Sequence, residues 1–206
     1  MKQGSEYAKR IRRLLTQLQK KFGKPDIAEG VDPTEQLIIG ILAGCTTHAR
    51  ALAVYRRLRQ HVVDLNELRV TPAMELAEQI GDGVPLARLK AQRIVDALNA
   101  VRKRQDSLDL TFLRQRGRRE AREYLESLDG VDRAAAASVM LFSLGGHAIP
   151  LDGLMLHVLR KEELVDASAE PQEVQAFLER CVNAAQSVVF YELLSRHCAS
   201  KAIKVP

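Results

Sequence analysis

Residues 128–156 read LDGVDRAAAASVMLFSLGGHAIPLDGLML, and this stretch decides the fold. Leu128-Asp129-Gly130-Val131-Asp132 is a tight turn between two helical runs. The Ala-rich run that follows predicts a helix from Arg133 to about Leu144, since Ala carries the best helix propensity. Gly145-Gly146 stops it, because two glycines combine high backbone entropy with access to positive φ. A short connection then delivers Asp152 to the start of another helix. The turn offers backbone N–H groups at a helix N-terminus, which suit a phosphate. Asp132 is also a good N-cap for the same groups. A structural hairpin and a phosphate site both remain open on these residues alone. For Asp152 the alternatives are likewise a helix cap and a catalytic carboxylate.

Outward from this stretch the periodicity is helical throughout. Ile11, Leu14, Leu15, Leu18 and Phe22 form one apolar stripe of a helix over 7–22, with lysines and arginines around it. Gly23–Pro33 reads as a loop. Thr34 then caps an expected helix from Glu35 to about Gly44, apolar on nearly every side and so expected to be buried. Further helices are expected over 50–62, 72–80, 85–103, 118–128, 154–164, 171–181 and 184–197, with 109–117 less regular. The Val/Ile/Thr alternation of strands is absent. The expected class is all-α, with about nine or ten helices.

Composition agrees. The chain has 206 residues, 46% hydrophobic but only 4% aromatic, with no Trp, so the core is built from Leu, Ile, Val and Ala. The net charge of +5 permits an anionic partner. The N-terminus has no apolar signal region, and no apolar run reaches membrane-spanning length. Three cysteines, Cys45, Cys181 and Cys198, form no close pair, which fits a reducing, cytoplasmic setting without disulfides. The five histidines, His48, His61, His147, His157 and His197, show no metal-ligand spacing. The densest basic cluster, Arg114, Arg116, Arg118, Arg119 and Arg122, leads into the turn and reads as a phosphate contact or a solvated face.

The motifs Leu128, Gly130, Val131, Arg133 and Leu151-Asp152-Gly153 resemble the core of the helix-hairpin-helix DNA glycosylases of the endonuclease III type. Ala8–Phe22 is similar to that family's first helix, and Glu35–Thr47 to its buried second helix. The resemblance implies a two-lobed all-α fold. A central bundle over residues 25–150 would hold the hairpin, residues 1–24 plus 151–206 would form the second lobe, and the cleft between them would hold Asp152. It implies Asp152 as the catalytic carboxylate and Gly130, Val131, Asp132, Arg133 and Ala134 as the DNA-binding turn. The turn Cys45, Thr46, Thr47 and His48 would line the base pocket.

The departures are as informative. The bifunctional members carry a Lys where Ala134 stands, so the resemblance implies base removal without AP-lyase activity. The adenine-removing branch uses a Glu on the second helix, where Ile39-Gly40 stands. Four thiolates for an iron–sulfur cluster are not available in this sequence, so no metal and no cofactor is expected. Asp129 and Asp132 replace a Pro and a Gly of the hairpin. The implied function is a monofunctional DNA N-glycosylase of base-excision repair, acting as a monomer on double-stranded DNA away from membranes. The alternative is a catalytically inactive family member that binds DNA or a protein partner.

Overall fold

The computed structural model describes residues 4–25 and 30–202, so part of the 23–33 loop lies outside the described residues. Within them the chain forms eleven α-helices and no strand. They are α1 (Gly4–Phe22), α2 (Pro33–Ala43), α3 (His48–Gln60), α4 (Leu65–Val70), α5 (Ala73–Ile80) and α6 (Ala87–Gln105). Then come α7 (Arg118–Glu126), α8 (Arg133–Phe142), α9 (Gly153–Lys161), α10 (Pro171–Cys181) and α11 (Ser187–Ala202). Thr111–Gln115 and Ala184–Gln186 are single 3-10 segments.

The centre is α2. Leu37, Ile38, Ile39 and Leu42 are fully buried, as an all-round apolar helix requires. It packs against α3, α6 and, most extensively, α8. The reason for the last contact is steric. A Cβ on Gly40 would stand 2.9 Å from the Ser138 Cβ and 3.2 Å from the Ala135 Cα. Only glycine on one helix and small residues on the other let the two backbones come so close. The Ala run of α8 is thus a packing face as well as a helix former. Around α2 and α8, α7 packs on α8, and α4 and α5 pack on α6. α1 packs on α10 and α11, and α11 packs on α9 and reaches α8.

Three local expectations are corrected. Thr34 is not the cap of α2. Asp32 is, its Oδ1 accepting from the Thr34 and Glu35 N–H groups at 2.9 and 3.1 Å. The Thr34 hydroxyl instead donates to the Leu108 carbonyl at 3.0 Å and pins the 108–110 loop to the helix. Helix α4 escaped the periodicity reading because six residues hold too few turns to show one. Its start was legible as D-x-x-E, with Asp64 accepting from the Glu67 N–H and Glu67 accepting from the Val63 N–H. The segment 184–197 begins as a 3-10 turn capped by Asn183, and its α-helix runs on to Ala202. Among the described residues, no single helix is long and apolar enough to cross a membrane.

Candidate active site

A cleft of about 480 Å³ opens where the C-terminal end of α2, the first half of α6, the start of α8 and the approach to α9 converge. Gly44, Cys45, Lys90, Arg93, Asp132, Arg133, Ala134 and Asp152 line it, with Ile41, Leu86 and Leu89 as its apolar wall.

Asp152 is the N-cap of α9, its Oδ1 accepting from the Met155 N–H at 2.7 Å. Its other oxygen, Oδ2, accepts from the Cys45 N–H at 2.7 Å. That second bond depends on a strained turn. The Ala43–Thr46 turn is closed by the Thr46 N–H on the Ala43 carbonyl. Gly44 has φ −51 and ψ 126, and Cys45 has φ 60, the type II pattern in which Gly ordinarily takes the latter position. Holding a Cys there aims its N–H at the carboxylate. Burial pushes the Asp152 carboxyl above the usual range, and the Met155, Cys45 and Leu154 backbone and the Lys90 ammonium hold it back. Burial likewise pushes the Cys45 thiol up, with the Asp152 charge adding to it.

The hairpin turn borders the same cleft. Gly130 has φ +77, and a Cβ there would lie 2.4 Å from the Arg93 carbonyl. Its glycine is therefore demanded by contact with α6. Val131 closes the turn onto the Leu128 carbonyl. Asp132 caps α8 through the Ala135 N–H at 2.9 Å and pairs with Arg93 at 2.7 Å. Arg133 is exposed, 4.0 Å from Glu126, and Ala134 lines the cleft with a methyl group. In the neighbouring basic cluster, Arg116, Arg119 and Arg122 are paired with Glu120, Glu123 and Glu179.

Of the expected pocket residues, Cys45 lines the cleft, whereas Thr46, Thr47 and His48 do not. Thr46 is buried. Thr47 caps α3 through the Arg50 N–H. His48 is buried in a polar network. Its Nδ1 lies 2.6 Å from Glu192 Oε1, and because a carboxylate only accepts, the imidazole proton sits on Nδ1. Gln36 Nε2 stands 3.4 Å from the other ring nitrogen and donates to the Ser138 hydroxyl at 2.8 Å. Phe142 stacks on the ring at 4.2 Å. This network joins α2, α3, α8 and α11.

Two features escaped the sequence reading. Lys90 is buried beside Asp152, although its place on the apolar stripe with Ile94, Leu98 and Val101 was a readable signal. Glu192 was equally out of place on an apolar helix, but its partner lies 144 residues away. Among the described residues no group of three His, Cys, Asp or Glu side chains could hold a metal ion.

No family model and no curated protein matches the sequence. Solved structures do match the fold. A trapped endonuclease III–DNA covalent intermediate superposes with a TM-score of 0.67 at 23% identity, covering 91% of this chain and 84% of that one. The H. pylori 3-methyladenine DNA glycosylase MagIII, bound to 1,N6-ethenoadenine, gives 0.64 at 17% identity, covering 98% and 99%. The Clostridium acetobutylicum 8-oxoguanine glycosylase/lyase, in complex with DNA containing 8-oxoguanine opposite cytosine, gives 0.69 at 16%, covering 96% and 70%. The chain has the all-α fold of the helix-hairpin-helix DNA glycosylases.

Proposed function

We propose that this chain, built on the helix-hairpin-helix glycosylase fold, is a DNA N-glycosylase that removes an altered or mismatched base through Asp152. The observation that carries the reading is a carboxylate held by two backbone N–H groups at the edge of a cleft whose other wall is the hairpin helix. Breaking an N-glycosidic bond builds positive charge on the sugar, and a fixed carboxylate there stabilises that charge or takes a proton from attacking water. Ala134 supplies no amine at the hairpin, and in this reading water attacks C1′ and the reaction ends at an intact abasic site. The two helix groups α1 with α9–α11 and α2–α8 act as two lobes around the scissile bond. The hairpin residues Gly130–Ala134 face the duplex, and a single copy of the chain binds double-stranded DNA. Release of a free base from a lesion-bearing duplex, lost in Asp152→Asn, tests this.

A second reading has its own observation. Asp132 already occupies the N-terminus of α8, where a phosphate would bind, and neutralises Arg93. That arrangement favours a family member that binds DNA weakly or a protein partner, without catalysis. Base release by the wild-type chain excludes it.

A further inference from the structure

The cleft contains a cation that the reaction above does not use. Lys90 is 3% exposed. Its Nζ donates to the Leu42 carbonyl at 2.8 Å, in the last turn of α2 where carbonyls lack helical partners. An ammonium carries three donors. Among the described residues the other two have no hydrogen-bond partner, and no carboxylate forms an ion pair with Lys90. Burying an ammonium without a paired carboxylate is costly, and a carbonyl at a helix end can be satisfied by water. Yet the side chain lies on the wall of the cleft with Cys45, Ala134 and Asp152.

We propose that Lys90 is the residue that meets the extruded base, donating to an acceptor on it, and that it thereby selects uncharged bases over cationic N-alkylated ones. The inference rests on the glycosylase reading. As the C1′–N bond breaks, its electron pair moves onto the base. The Lys90 ammonium stabilises that charge and passes a proton to the base at a nitrogen or oxygen acceptor. Water adds to C1′ and gives its proton to Asp152, from which Lys90 is reprotonated through solvent. The sum is nucleoside plus water giving free base and abasic sugar. A cationic base leaves as a neutral molecule and needs no proton, and in this pocket it faces a like charge. Burial lowers Lys90 to about 8, which suits a proton donor near neutral pH. The Asp152 charge opposes that shift and Arg50 adds to it. Arg93, Arg133 and Asp132 are the other charged groups lining the cleft.

The test is single-turnover base release by the full chain and by its Lys90→Met, Lys90→Arg and Asp152→Asn variants. The duplexes carry 8-oxoguanine opposite cytosine, 1,N6-ethenoadenine or cationic 7-methylguanine, and thermal melts confirm that each variant folds. Wild type is expected to release at least one neutral base, faster than 7-methylguanine, with a rate that falls as pH rises through about 8. Lys90→Met is expected to slow neutral-base release by about 100-fold or more, to lose that alkaline fall, and to shift the ratio toward 7-methylguanine. Lys90→Arg, which stays charged, keeps the preference for neutral bases but loses the alkaline fall, and it decides the matter if Lys90→Met does not fold. A folded Lys90→Met with wild-type rate and pH profile overturns the inference while Asp152-dependent release stands. Preference of the wild type for 7-methylguanine overturns it too, as does a borohydride-trapped adduct that requires Lys90, which would make the amine a nucleophile. No release by the wild type from any duplex removes the glycosylase reading and this inference with it.

Discussion

Asp152 and Cys45 are joined through a main-chain N–H: Cys45 donates to Asp152 Oδ2 at 2.7 Å while Met155 donates to Oδ1 at the same distance. Each oxygen of the carboxylate thus accepts one main-chain N–H and keeps a second acceptor site. The bond to Cys45 ties the start of α9 to the α2–α3 turn, so one side chain caps a helix and fixes the geometry of the cleft.

Asp152→Asn therefore has a structural cost that a simple capping Asp would not show. The amide presents one oxygen and one NH2, so one of the two backbone donors meets another donor. An unsatisfied buried donor costs about 1–3 kcal/mol. Thermal or urea unfolding is expected to show a loss of that size. An unchanged melting curve would mean that the Cys45 bond does not form in solution.

Lys90 predicts the opposite sign. Burial disfavours the ammonium and lowers its folded pKa to about 8, from the usual 10.5 of a free lysine. The stability associated with this group is present above the unfolded value and is lost as pH falls through about 8. At neutral pH the buried charge is a net cost. Lys90→Met removes it along with the bond to Leu42. The balance is a gain on the order of 2 kcal/mol near pH 7 that fades toward about pH 10.5. Melts of both proteins across this range check it. A destabilised variant at neutral pH, or a difference independent of pH, contradicts the assignment.

The His48–Glu192 pair should behave as a unit. Removing one partner leaves the other buried without its hydrogen bond, so Glu192→Met is expected to cost about 1–3 kcal/mol and His48→Leu, which strands a carboxylate, more than that. The double variant replaces both by apolar groups and should lose much less than the sum. A double-mutant cycle by chemical unfolding measures this coupling, and additive losses would refute it.

The all-helical class and the order of helices were readable because apolar stripes and glycine stops are local signals. Asp152 was readable as a helix start for the same reason. What the sequence concealed was long-range. Gln36 meets Ser138 across 102 positions, and His48 meets Glu192 across 144. No local pattern announces such pairs, and this is why His48, read as a pocket residue, proves to be a buried joint between helices. Gly130 shows a different limit. A turn glycine beside a candidate phosphate site invites a functional reading, but its missing Cβ is accounted for by the Arg93 carbonyl, which a side chain there would strike.

The hairpin separates these two causes experimentally. Gly130→Ala forces a Cβ against backbone at positive φ and is expected to destabilise the free protein by about 2 kcal/mol or more, with no DNA present. Asp132→Gly should cost about 1 kcal/mol in capping yet tighten duplex binding, because it frees Arg93 and the α8 N–H groups. Fluorescence anisotropy over a salt series reads the second effect, and the variant's slope should be steeper. Weaker binding by Asp132→Gly would show that the carboxylate is not competing with phosphate.

The most direct measurement follows from Asp152 facing the cleft and Ala134 lacking an amine. Lesion-bearing duplexes are incubated with the protein and each sample is divided, one half receiving hot alkali, which cuts abasic sites. The expected result is strand cleavage in the alkali half only, abolished by Asp152→Asn. Cleavage without alkali, or a product that persists in Asp152→Asn, would contradict base removal by water at Asp152. Intact strands in both halves across the lesion panel would leave Asp152 as a helix cap and the chain as a non-catalytic member of its fold.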